Sequence, residues 1–198
     1  MATSPGRPPS TTREEIEGVA LGLFAERGFE ATTVDDVAAA VGVGRRTLFR
    51  YFESKNDIAW GDFEWVMDRL RRALVEQGDG VPLMDALRIA VVESNSYPAE
   101  QLPGLRIRMT LITSTPALQA HSALRYAEWR GVVAEWAAER LGAPPDDLGP
   151  QAIAGAALGT AMATFGRWVK CPEENLDELL DSAFALLAAG FNEVGVRR

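Results

Sequence analysis

At 198 residues, 47% hydrophobic and 24% charged, the chain is long enough to bury a sizeable core in one or two domains and reads as soluble and globular. A net charge of −8 argues against nonspecific coating of nucleic acid, although a local basic patch still dominates at contact range because distant charge is screened beyond about 10 Å at 0.1 M salt. One cysteine, Cys171, and one histidine, His121, leave no internal disulfide, no nucleophile–base pair and no metal cluster, so neither an enzyme nor a cofactor is expected, and the thiol count fits a reducing cytoplasm.

Residues 1–11 are rich in Pro, Gly and Ser and lack an apolar core. They read as a flexible arm rather than a signal peptide. Arg7 either touches DNA there or belongs to a disordered tail. A helix is expected from Thr12, which has capping-box spacing to Glu15. Ile16, Val19, Ala20, Leu23 and Phe24 form its apolar stripe, Gly28 ends it, and Phe29 is expected to plug a small core.

Two short helical patterns follow around Val41-Gly42-Val43-Gly44. Thr33 is a good N-cap, with Asp35 and Asp36 in the opening turn where the helix dipole favours acids. Val34, Val37, Ala38 and Val41 share one face, and Gly42 suits a left-handed helix end. The second pattern runs from about Arg45 to Phe52, with Leu48 and Phe52 inward. Two helices joined by a tight glycine turn are a helix-turn-helix, whose second helix enters the major groove. Arg45 and Arg46 lie at the end that meets base edges, and Thr47, Arg50, Tyr51 and Lys55 can reach phosphates. From Val43 to Asn56, Arg45, Arg46, Arg50 and Lys55 stand against Glu53, a local net of +3. The bland alternative is a pair of arginine-decorated surface helices.

The run from Thr32-Thr-Val-Asp-Asp-Val-Ala to Arg45-Arg-Thr-Leu-Phe-Arg-Tyr-Phe-Glu-Ser-Lys-Asn-Asp57 resembles the DNA-binding domain of TetR-family transcriptional regulators, with register kept over about residues 12–60. Ile58-Ala-Trp-Gly-Asp-Phe63 resembles a narrower branch, the mycofactocin-system regulators. The family motif implies Arg45, Arg46 and Phe49 as base readers and Thr33, Thr47, Tyr51 and Lys55 as phosphate contacts. Two positions depart from it. Gly44 stands where Ser is common, which removes a side-chain cap. Phe49 stands where Tyr is frequent, which removes a hydroxyl but leaves an apolar face for a thymine methyl.

Ser54 and Asp57 repeat the capping-box spacing and start a helix expected to run unbroken from Lys55 to near Gln77, with Trp60, Phe63, Val66, Met67, Leu70, Ala73 and Leu74 on its apolar face. The resemblance makes this helix the lever of induction. Further helices are expected at about Pro82 to Ser94, Leu105 to Ile112, Ala117 to Leu141, Gln151 to Lys170 and Leu176 to Val194. Leu118, His121, Leu124, Arg125, Trp129, Val132, Val133 and Trp136 form a broad stripe on the third of these. Gly155 and Gly159, among several alanines, suggest a tight helix–helix seam in water. Ala152 to Gly166 is too short to span a membrane.

The expectation is therefore an all-α chain of nine helices: a three-helix reader at 12–54 and a six-helix ligand-binding and dimerisation domain at 55–198. One short reader helix contacts few base pairs, so two-fold symmetry and a pseudopalindromic double-stranded operator are expected, with readers roughly 34–36 Å apart or a multiple of that. The resemblance implies a homodimer built from the last two helices; Gly155, Gly159, Met162, Leu180, Phe184, Leu187 and Phe191 are its candidate residues. Phe63, Met67, Leu87, Val91, Met109, His121, Arg125 and Trp129 either line a ligand cavity or are plain core. The narrower branch implies an acyl-CoA-type effector, with Arg69, Arg71, Arg72, Arg106 and Arg108 as candidate phosphate partners or simply a solvated face. The resulting reading is a DNA-binding regulator, a repressor released by a small effector. The rivals are a ligand-independent DNA-binding protein and a helical protein-interaction module.

Overall fold

A computed structural model describes residues 11–190, and its described residues hold ten helices and no strand. Residues 1–10 of the expected N-terminal arm, Arg7 among them, and Phe191 lie outside that range. The chain divides into two compact units, Met1–Gly61 and Asp62–Arg198.

The first unit contains α1 (Arg13–Arg27), α2 (Val34–Val41), α3 (Arg45–Leu48) and α4 (Lys55–Trp60). The capping box expected of Thr12 and Glu15 forms on α1, and Thr33 and Asp36 form a second one on α2; at the third start, Ser54 accepts from Asp57 N–H. Gly42 closes α2 in the left-handed conformation at φ 75°. Ile16, Ala20 and Phe24 of α1, Val37 and Ala38 of α2, Leu48 of α3, and Ile58 and Ala59 of α4 build a shared core. Phe29 plugs it, packed edge-on against Phe24 with ring centroids 5.0 Å apart. Val19, expected in the buried stripe of α1, is 37% exposed. Leu21, outside the expected stripe, is buried instead, and α1 packs chiefly on α2 and α4.

The expected unbroken helix from Lys55 to Gln77 is two helices. Gly61 ends α4 with φ 71°, and its N–H donates to the Asp57 carbonyl. The Asp62 carboxylate then accepts from Trp65 N–H and starts α5 (Phe63–Glu76). A glycine followed by an N-cap residue is a stop signal beside a start signal. The apolar periodicity continues across this break and conceals it.

The second unit adds α6 (Leu83–Ser94), α7 (Leu102–Ser114), α8 (Pro116–Leu141), α9 (Leu148–Trp168) and α10 (Leu176–Ala188). α7 begins three residues earlier than expected and takes in Pro103, and α9 takes in Pro150. Proline in a first turn gives up only an N–H that has no helical partner there. α9 packs on α8 and α10, α6 on α5 and α10, and α7 on α8 and α9. Leu124, expected in the inward stripe of α8, is 80% exposed.

Three arginines close helix ends in this unit. Arg69 donates to the carbonyls of Glu93 and Ser96 and lies between the rings of Trp65 and Tyr97. Arg106 donates to the carbonyls of Trp168 and Pro172, its guanidinium 3.9 Å from the Trp168 ring centroid. Arg140 donates to the carbonyls of Gln77, Gly78 and Val81 and stacks on Trp136. In each case a planar, always-charged fork meets carbonyls that helix geometry leaves unpaired.

Candidate nucleic-acid interface

α3 starts at Gly44, which supplies no side-chain cap. Its four helical residues continue through tight turns, with Arg50 N–H donating to the Thr47 carbonyl and Tyr51 N–H to the Leu48 carbonyl. Leu48 and Phe52 anchor this segment in the core at 0% and 2% exposure. The opposite side of the segment therefore faces outward, and there Arg45, Arg46, Phe49 and Arg50 are exposed while Thr47 is half-buried.

The exposed cations are not equivalent. Arg45 Nη1 donates to Asp35 Oδ2 at 3.2 Å, and its guanidinium lies 5.5 Å from the Phe49 ring centroid. Arg46 and Arg50 make no hydrogen bond or ion pair among the described residues. Thr33 is exposed at the start of α2. Its hydroxyl accepts from Asp36 N–H at 3.1 Å and donates to Asp36 Oδ2 at 2.6 Å. These bonds from Thr33, side chain first and backbone second, hold the Asp36 carboxyl below its ordinary value.

Two of the phosphate candidates have their polar ends engaged inside the unit. Tyr51 Oη donates to the Thr11 carbonyl at 2.7 Å. Lys55 Nζ donates to the carbonyls of Phe29 and Thr32 at 2.8 and 3.1 Å and sits 4.2 Å from the Phe29 ring centroid. A phosphate contact by either requires an exchange of these bonds. Lys55 thus staples the loop between α1 and α2 to the start of α4.

In the second unit Phe63, Met67, Leu87, Val91 and Met109 are buried. Arg125 of α8 lies 5.0 Å from the Phe63 ring centroid, and His121 and Trp129 are half-buried on the same helix. Arg106, read from sequence as a phosphate partner, is committed to the end of α9. Arg69 is committed to the end of α6, and Arg71 pairs with Asp68 and Glu128. On α9, Gly155 and Gly159 are exposed and Met162 is half-buried; on α10, Leu187 is half-buried. Leu180 and Phe184 are 0% exposed. They belong to the subunit's own core and offer no surface to a partner, which corrects their expected place at a dimer face.

Among the described residues no helix is long and apolar enough to cross a membrane, and no group of His, Cys, Asp and Glu could hold a metal ion.

Residues 18–59 match the family described as "Bacterial regulatory proteins, tetR family", and residues 81–192 match "MftR C-terminal domain". A Mycobacterium tuberculosis protein named for mycofactocin biosynthesis regulation, MftR, is 41% identical over 96% of both chains. The chain belongs to the TetR family. The HTH-type transcriptional regulator TcmR of Streptomyces glaucescens is 29% identical over 85% of this chain and 77% of its own length. Two solved structures share the fold. SmeT, the repressor of a Stenotrophomonas maltophilia multidrug efflux pump, covers 94% of both chains at TM-score 0.64 and 22% identity. Thermus thermophilus FadR, in complex with lauroyl-CoA, covers 94% of this chain and 98% of its own at TM-score 0.60 and 22% identity. The helix-turn-helix of α2 and α3 is accordingly the DNA-binding element of a TetR-family transcriptional regulator.

Sequence reasoning did not find Asp35 as the partner of Arg45, nor the arginine clamps at helix ends. The first had a usable signal, since a first-turn acid on α2 and the first residue of α3 come together across a three-residue turn, Gly42-Val43-Gly44. The clamps had none, because their carbonyl partners lie 24 to 66 residues away in the chain.

Proposed function

We propose that this TetR-family regulator is a repressor that binds a pseudopalindromic operator as a homodimer and is released by a small effector of the acyl-CoA type. Residues 12–54 are assigned to DNA reading and 55–198 to effector binding and dimerisation. The observation that carries the reading is the outward face of α3, where Arg46 and Arg50 stand exposed beside Phe49 while Leu48 and Phe52 fix the segment from behind. In this assignment Arg45, Arg46 and Phe49 meet base edges, and Thr33, Thr47, Arg50, Tyr51 and Lys55 lie along the phosphates, the last two after exchanging their internal bonds.

The proposed dimer face is the exposed small-residue stripe of α9, Ala152, Gly155, Ala156, Gly159 and Ala163, with the exposed side of α10. Small residues three and four apart let two helices approach closely. The proposed effector site is the apolar interior that holds Phe63, Met67, Leu87, Val91 and Met109. The lauroyl-CoA held by a FadR of the same fold, and the match to the MftR C-terminal domain, support an acyl chain as its occupant. An effector that releases DNA must bind the DNA-incompetent state more tightly.

The test is binding of the purified chain to the DNA upstream of its own gene at fixed salt, with lauroyl-CoA, with free CoA and without either. Release by lauroyl-CoA alone is the expected result. Tight binding unmoved by lauroyl-CoA would remove the effector assignment and leave a ligand-independent repressor.

A further inference from the structure

We propose that Asp35 is a specificity-determining residue, which neutralises Arg45 in the free protein and gives it up to a base edge but not to an isolated phosphate. The proposal rests on the DNA-binding reading above. Asp35 sits in the first turn of α2, yet it is not that helix's cap: Asp36 makes the reciprocal bonds with Thr33. The Asp35 carboxylate instead reaches across the glycine turn to Arg45, the first residue of α3, at 3.2 Å. The two side chains are 65% and 61% exposed, so the pair is weak and opens readily. Phe49 brackets the guanidinium from another side.

The segment from Arg45 to Phe52 thus carries two open cations, Arg46 and Arg50, and one masked cation. Nonspecific affinity grows with the number of phosphates neutralised. A phosphate that approaches Arg45 must displace one carboxylate and then lie beside its negative charge. A guanine edge instead offers two aligned acceptors, N7 and O6, and no net charge to repel Asp35. The mask therefore lowers binding to random sequence more than binding to the operator.

The experiment needs no operator. The full chain, Asp35→Asn, Arg45→Ala and the double variant are titrated against a mixed-sequence duplex of about 30 base pairs over roughly 50 to 200 mM salt, followed by fluorescence anisotropy. Asp35→Asn is expected to bind more tightly at the low-salt end. Its log K is expected to fall more steeply by about 0.9 in slope, the contribution of one added phosphate, or about threefold more affinity lost over that range. Arg45→Ala, which leaves the Asp35 charge unpaired, is expected to bind the duplex less tightly than the unsubstituted chain, and adding it to Asp35→Asn is expected to bring affinity back to that of the unsubstituted chain. Asp35→Ser, whose hydroxyl also suits a first helical turn, is expected to behave as Asp35→Asn does; circular dichroism confirms that each variant is folded. Asp35→Asn indistinguishable from the unsubstituted chain, or a double variant that keeps the tighter binding of Asp35→Asn, overturns the proposal. Failure of the DNA-binding reading shows separately, as an unsubstituted chain without salt-dependent affinity for the duplex.

Discussion

Arg46 and Arg50 share a surface but stand on different parts of it. Arg46 lies in the first turn of α3, the end that meets base edges, and Arg50 lies in the turns beyond its last helical residue. Replacing Arg46 with Ala is expected to weaken operator binding by about 1–3 kcal/mol while scrambled DNA loses less; equal losses on both would make it a phosphate contact. Asp36 is an acid whose charge is tied to a helix start. Its carboxyl, lowered by the bonds from Thr33, adds stability that is fully present above its ordinary value of 3.8 and is lost as pH falls through the lower folded value. Asp36→Asn is therefore expected to flatten the acid limb of the stability-versus-pH curve without changing stability's dependence on pH near neutrality, read by thermal unfolding across a pH series.

Helix ends carried most of what the sequence made legible and most of what it hid. Thr12, Thr33, Ser54 and Gly42 mark their boundaries through local bonds, and local bonds depend on neighbours a few residues away. The same physics marks Gly61 and Asp62, but the apolar run from Trp60 to Leu74 suggests continuity, and the break goes unread unless the caps outrank the stripe. Gly61→Ala is expected to cost about 1 kcal/mol or more, since its φ of 71° is strained for a side chain, and a urea titration measures it. α9 closes on Arg106, a residue from a distant helix, which no spacing rule can supply. Arg106→Lys keeps the charge but loses the fork and the stack on Trp168. It is expected to destabilise the chain by about 1–3 kcal/mol, again read in urea. The exposed residues of the proposed DNA face were legible because one short segment holds them. The residues proposed to hold an effector were not, because buried apolar side chains at helical spacing look alike whether they enclose a ligand or one another.

At the scale of the molecule the two units pose separate questions, one of sequence reading and one of assembly. The stripe on α9 lends itself to a clean test. A Cβ added at Gly155 or Gly159 meets no atom within 4 Å, so a larger side chain there does not disturb the subunit and raises helix propensity. Gly159→Leu is expected to leave thermal stability of the isolated subunit undiminished while shifting the chain from dimer to monomer in analytical ultracentrifugation at micromolar concentration. A dimer that persists would move the interface elsewhere.

The bonds of Lys55 reach into the chemistry available at the bench. The chain has two lysines, Lys55 and Lys170. Lys170 is exposed, whereas the Lys55 amine is held by two carbonyls over an aromatic ring. An amine-directed label therefore marks the chain's α-amine and Lys170 before Lys55, and slow labelling of Lys55 becomes a clock for the opening of the loop between α1 and α2.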